Sequence, residues 1–219
     1  MGVSLLSDKI REIKYDRTSG ASQIARNALG VLRFFSQTSK HETCRGFKDD
    51  FLEVSRKLFE ARPNMAPVQN LVTQIVYEVN SLEESDLVSV RKFAASEIDK
   101  LCKESEAAVK RCAELGATMS RDSDCLASCS YSSTACETFR AAKQAGKSFK
   151  VYVAESRSGD GMFRYGEIIA AFLTSIDVPA EVFPDNEIRN YVSETKCVLV
   201  GADSVLFDGS AINGTPTGE

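Results

Sequence analysis

The chain has 219 residues and a net charge of −4, with 43% hydrophobic and 26% charged residues, a composition typical of ordinary globular proteins. The acidic balance and the lack of a long basic run argue against binding nucleic acid through a general basic surface. No apolar run approaches the roughly 20 residues that a membrane helix needs, so no membrane partner is expected.

The first part of the chain has helical periodicity. Leu5, Leu6, Ile10 and Ile13 mark a short first helix. Ala21, Ile24, Ala25, Ala28, Leu29, Leu32 and Phe35 lie on one face of a second, with Ser19 or Thr18 as its cap and Gly20 permitting close backbone approach. Phe47, Phe51, Val54 and Leu58 suggest a third, ending before Arg62-Pro63. Val68, Leu71, Val72, Ile75 and Val79 form a fourth. A long fifth helix is expected from about Asp86 to Leu115, with Val90, Phe93, Ala94, Leu101, Ala108, Val109, Cys112 and Leu115 as its apolar stripe and Gly116 as its stop. A helical domain over residues 1–120 is the expectation.

From about Asp124 the pattern changes. Short apolar runs at Cys125–Cys129, Phe149–Ala154, Ala180–Phe183 and Lys196–Val200 alternate with helical segments ending near Ala145, spanning Met162–Ile176 and spanning Glu187–Val192. This βαβαβαβ order predicts an α/β domain over residues 121–219 with a right-handed, largely parallel, Rossmann-like sheet. Its carboxyl edge gathers Ser130–Ser133, Glu155–Arg157, Asp185–Glu187 and Gly201–Ser204, and ligands of open α/β sheets bind at such an edge. Asp203 is the strongest candidate among these side chains, since Val198, Leu199 and Val200 lead straight into Gly201-Ala202-Asp203.

The amino terminus lacks a basic region followed by a long apolar core, so no secretory signal is expected, and Leu6 breaks the myristoylation pattern that Gly2 begins. Seven cysteines, at positions 44, 102, 112, 125, 129, 136 and 197, form no C-x-x-C pair, and His41 is the lone histidine. Reduced thiols in a cytoplasmic protein are therefore expected, with no metal site and no cofactor. Cys129 reads as a buried strand thiol and His41 as exposed and idle.

The segment Val200-Gly-Ala-Asp-Ser204, the Asp208-Gly209 turn and Ala211-Ile-Asn213 resemble the core motif of the translation initiation factor 2B family. Thr18 to Ala25, Ala61-Arg-Pro63, Phe149 to Arg157 and Ser130 to Thr134 agree in order along the whole chain. That family holds the alpha, beta and delta regulatory subunits and two sugar-phosphate isomerases, acting on ribose 1,5-bisphosphate and methylthioribose 1-phosphate. The resemblance implies that Asp203 matches the isomerases' acid/base aspartate, whereas their cysteine position falls on Ser130. A serine hydroxyl does not exchange protons near neutrality without a base. Their Arg-Gly-Ala at a helix start is Ser19-Gly20-Ala21 here, and Gly214 stands in place of their lysine after Asn213.

The resemblance thus implies a regulatory, sugar-phosphate- or nucleotide-binding member without catalysis. The alternative is a sugar-1-phosphate aldose–ketose isomerase in which Asp203 is catalytic and Ser130 only positions substrate. The expected ligand crevice is lined by Ser19, Gly20, Ala21, Arg62, Ser130, Ser132, Ser133, Asp203 and Asn213. Three of these keep a second reading: Asp203 also fits a cap of the following turn, Arg62 a surface residue ending a helix, and Ser130–Ser133 an ordinary polar helix start. Glu155 and Arg157 fit a salt bridge as well as ligand contact.

The resemblance also implies more sheet than four strands, so the sheet reads as truncated at its carboxyl-terminal side, with Gly214 and Pro216 arguing against a further long element. An uncovered apolar strand predicts association with a second copy or with paralogous subunits.

Overall fold

A computed structural model describes residues 2–83, 86–122, 124–159 and 161–213, and the positions around Gly214 and Pro216 lie outside them. The chain divides into two compact units, Met1–Ala107 and Ala108–Glu219.

The first unit is helical. Helices α1 (Gly2–Tyr15), α2 (Ala21–Thr38), α3 (Cys44–Ala61) and α4 (Ala66–Asn80) follow the sequence periodicity, and α5 (Leu87–Ala117) begins at its end. Their apolar stripes meet in one core containing Ile24, Leu29, Leu32, Phe47, Phe51, Leu58, Ile75 and Ile98, each at most 2% exposed. Phe47 sits between Phe35 and Phe51, with ring centroids 5.5 and 5.8 Å away, within the range where aromatic pairs add stability beyond area burial.

Helix ends depart from expectation. Neither Ser19 nor Thr18 caps α2: Gly20 is the cap residue and supplies no side-chain acceptor. Instead Asp16 gathers the preceding turn, accepting from the N–H groups of Thr18 and Ser19 at 2.9 Å each. Burial pushes the Asp16 carboxyl up, but the Ser19 and Thr18 hydrogen bonds outweigh it and hold the group below the ordinary carboxylate range. Gly116 does not stop α5, which runs to Ala117. A Cβ at position 116 would lie 2.8 Å from the Thr138 methyl, so this glycine serves close packing within the second unit. The stripe of α5 also rotates there: Ala113 and Ala117 are buried whereas Leu115 is 71% exposed and Cys112 is exposed, because the helix faces new neighbours. His41 is not idle, since its Nε2 lies 2.7 Å from Asp50 Oδ2 on α3.

Gly30 sits inside α2, and a Cβ there would meet nothing within 4 Å. Glycine in a helix interior costs backbone entropy without a compensating contact here. Gly30→Ala is therefore expected to stabilise the chain by about 0.5–1 kcal/mol. Chemical denaturation shifting its midpoint downward would contradict that.

The second unit is a parallel sheet of β1 (Asp124–Ser128), β2 (Phe149–Ala154), β3 (Ala180–Phe183) and β4 (Cys197–Val198), in the order β3-β2-β1-β4. Helices α6 (Ser133–Gln144) and α7 (Tyr165–Ser175) pack through Phe139, Ile169 and Leu173 against Val151 and Val153. A 3-10 turn at Asp185–Glu187 and helix α8 (Ile188–Ser193) place Tyr191 against Phe183, the rings stacked with centroids 4.1 Å apart and planes nearly parallel. Two elements came out shorter than the sequence pattern. Pairing in β4 is confined to two residues, and α7 begins at Tyr165 because residues before it return as a loop in which Arg157 and Arg164 bridge. One element was not foreseen: β5 (Ser204–Val205) and β6 (Ala211–Ile212) make an antiparallel hairpin about the Asp208-Gly209 turn, where Gly209 takes a φ of +86° that glycine alone adopts freely.

Candidate ligand site at the sheet's carboxyl edge

The strand order reverses between β1 and β4, because the chain runs β1-β2-β3 to one side and then crosses to the other. That switch point is where an open α/β sheet leaves a crevice. The two loops bordering it touch. A Cβ on Gly201, after β4, would lie 2.7 Å from Ser132 Oγ, after β1. Ser128 Oγ donates to Leu199 O at 2.8 Å and ties the two strand ends together.

On the β1 side, Ser132 caps α6, its Oγ accepting from Ala135 N–H at 3.2 Å, and Ser133 opens the helix. The ordinary polar helix start is thus realised at Ser132. Ser130 has a φ of +58°, a left-handed conformation that costs a non-glycine residue roughly 1 kcal/mol or more. Cys129 is 5% exposed, as expected of a strand thiol.

On the β4 side, Asp203 N–H donates to Ile212 O at 2.8 Å. Hairpin pairing of Ser204 with Ile212 brings Asp203 to the end of β6, where Asn213 follows Ile212 in sequence. The Asp203 carboxyl is partly buried, and burial pushes its pKa above the ordinary aspartate value. No ion pair to it is found among the described residues.

The remaining crest residues are bound to one another. Arg157 grips Glu155 with two hydrogen bonds, at 2.7 and 3.1 Å, and Arg164 adds a third contact at 3.1 Å. The hydrogen-bonded Arg157 guanidinium holds the Glu155 carboxyl below its ordinary range. The salt-bridge reading of Glu155 and Arg157 is the one the geometry realises. Ser156, fully buried with a φ of +51°, receives the Ser130 N–H on its Oγ at 2.7 Å. Asp185 accepts from Ser156 N–H at 2.6 Å and from Arg157 N–H at 3.1 Å. The crest loops were legible as strand ends, but nothing in the sequence singled out Ser156 or Asp185 as the pair joining three of them.

Ser130 and Ser132 thus lie on the loop that leads into α6 at Ser133, and Asp203 on the loop that leads into the hairpin ending before Asn213; the two loops meet at Ser132 and Gly201. Ser19, Gly20, Ala21 and Arg62 belong to the first unit. There Gly20 is buried at the amino end of α2, and Arg62 donates from Nε to Ile13 O at 2.8 Å and from Nη2 to Asp16 O, closing the end of α1.

A parallel four-stranded sheet flanked by helices, joined in sequence to a helical unit, defines an α/β protein of the Rossmann-like class. The chain belongs to the Initiation factor 2 subunit family, which matches residues 17–218. It is 29% identical over 205 residues to a ribose 1,5-bisphosphate isomerase of Pyrococcus furiosus, covering 92% of this chain and 62% of that protein. The translation initiation factor eIF-2B of Pyrococcus horikoshii OT3 superimposes with a TM-score of 0.80 at 26% identity, over 93% of this chain and 68% of that one. The tetrameric eIF2B-beta2-delta2 complex of Chaetomium thermophilum shares the fold, with a TM-score of 0.76 at 16% identity over 95% of this chain and 69% of that one. The chain spans about 60% of the length of the isomerase relatives it matches.

Proposed function

We propose that the crest of the second unit is a sugar-phosphate site of the kind that ribose 1,5-bisphosphate isomerases carry, with Asp203 as its acid/base group. The observation that carries this reading is the Asp203 carboxyl itself, partly buried at the switch point with its pKa raised by burial alone. Aldose–ketose isomerisation moves a proton between neighbouring carbons, and a carboxyl whose pKa is raised toward neutrality both takes and returns one more readily. Ser130, Ser132, Ser133 and Asn213 are the ligand-facing polar groups in this reading. The likeness to a protein named ribose 1,5-bisphosphate isomerase supports the substrate class. The test is turnover of ribose 1,5-bisphosphate by the purified chain, coupled to detection of the ketose. Binding seen by calorimetry with no ketose formed would defeat the catalytic reading.

That second outcome belongs to a regulatory protein that binds the sugar phosphate as an effector. It is favoured by Ser130, which stands at the position the resemblance gives to the isomerases' cysteine, and by Ser19 in place of their arginine. The seven free thiols support a cytoplasmic location, and no helix among the described residues is long and apolar enough to cross a membrane.

Association is the third element of the proposal. Val198 on edge strand β4 and Val200 just after it are 43% and 40% exposed, and Val205, Leu206, Phe207 and Ile212 of the hairpin are exposed too. Exposed apolar groups along an open edge mark an association surface. The assembly named in the tetrameric relative agrees with a homo-oligomer or pairing with paralogous subunits. Light scattering after size exclusion is expected to give a dimer or larger at micromolar concentration, and Val198→Lys with Phe207→Asp should shift it toward monomer. A wild-type monomer that unfolds cooperatively would refute this.

A further inference from the structure

We infer that Ser156, itself held by Asp185, is a positioning residue: it sets the left-handed backbone of Ser130 and hence the path of the loop that borders Asp203. The inference rests on the crest being the ligand site, but its geometry stands independently. Ser130 and Ser156 both have positive φ, at 58° and 51°, though neither is glycine. Such backbone persists only where surrounding contacts over-determine it. For Ser130 the contact is its own N–H, donated at 2.7 Å to the hydroxyl of Ser156.

Ser156 is suited to that task because every polar group it has is occupied. Its N–H goes to Asp185 Oδ1 at 2.6 Å, its carbonyl accepts from Tyr165 N–H at 3.2 Å, and its hydroxyl donates to Ala154 O at 3.1 Å. The side chain is fully buried, so water does not compete for these bonds. Asp185 spans two consecutive N–H groups, reaching Arg157 N–H at 3.1 Å with its second oxygen. The loop after β3 therefore fixes the loop after β2, which fixes the loop after β1. Residue 130, the position that the resemblance gives to the isomerases' cysteine, thus owes its orientation to side chains 26 and 55 residues further along the chain.

Amide hydrogen exchange tests the relay without any ligand. Ser156→Ala is expected to speed exchange at the Ser130 amide about tenfold, the size expected for one lost buried hydrogen bond, while Val151 in β2 keeps its rate. Asp185→Ala should act in the same direction. Glycine adopts left-handed backbone freely, so Ser130→Gly should make the hydroxyl partly dispensable. Titration with ribose 1,5-bisphosphate should then show that Ser156→Ala costs less affinity in the Ser130→Gly background than in the wild type. An unchanged Ser130 exchange rate in both single variants overturns the relay. Absence of sugar-phosphate binding to the wild type defeats the ligand reading instead, and the exchange rates still decide the relay.

Discussion

Asp203→Asn is expected to lower ribose 1,5-bisphosphate turnover by about 10²–10⁴-fold, the usual contribution of a positioned acid/base group, with a much smaller change in ligand affinity. The amide keeps the shape of the carboxyl and removes its ability to carry a proton. A loss in kcat below about tenfold would take Asp203 out of the chemistry. The pH behaviour gives a second check. Burial raises the folded-state pKa of Asp203 above its unfolded value, so the folded chain holds this proton more tightly than the unfolded one. Stability from this group is therefore greatest below the ordinary aspartate pKa and falls as pH rises through the raised value. Asp203→Asn should flatten that part of the stability profile and leave the folded chain no less stable at neutral pH. A profile that steepens would show that the carboxylate is stabilised by a partner.

Gly166→Ala is expected to destabilise the second unit by about 3 kcal/mol or more, at the upper end of overpacking changes. A Cβ at position 166 would lie 2.1 Å from Ala154 O and 3.0 Å from the Ala154 carbonyl carbon. These are backbone atoms at the end of β2, so no side chain can swing away. The first turn of α7 would have to lift off the strand, breaking the Gly166 N–H bond to Glu155 O at 3.0 Å. Buried Ile169 and Leu173 further along the same helix would be displaced with it. Thermal unfolding of the two alanine variants, at positions 166 and 30, should move in opposite directions. Equal midpoints for wild type and Gly166→Ala would mean that α7 approaches β2 less closely.

The two glycines look alike in the sequence, each in an apolar helical segment, and only their neighbours distinguish them. The same holds for Gly116, which reads locally as a helix stop and in space is the point where α5 meets Thr138. Leu115 fits the apolar stripe by spacing yet is 71% exposed, since periodicity shows which residues share a face but not how far a neighbour extends along it.

The sequence by itself determined the elements and their order. Apolar spacing of three and four gave five helices, short β-rich runs gave four strands, and their alternation implied a parallel sheet whose loops crowd one edge. It also carried the family, because Gly201-Ala202-Asp203 and the matching segments are contiguous motifs. It did not contain the relations between distant loops. That β4 crosses to the far side of β1, that Gly201 abuts Ser132, and that Asp185 braces Ser156 and Ser156 braces Ser130 are all facts of packing. The physical reason is range. Helix and strand propensities act through neighbours a few residues away, whereas a left-handed serine or a buried carboxyl is tolerated only because groups remote in sequence hydrogen-bond or desolvate it once the sheet has formed.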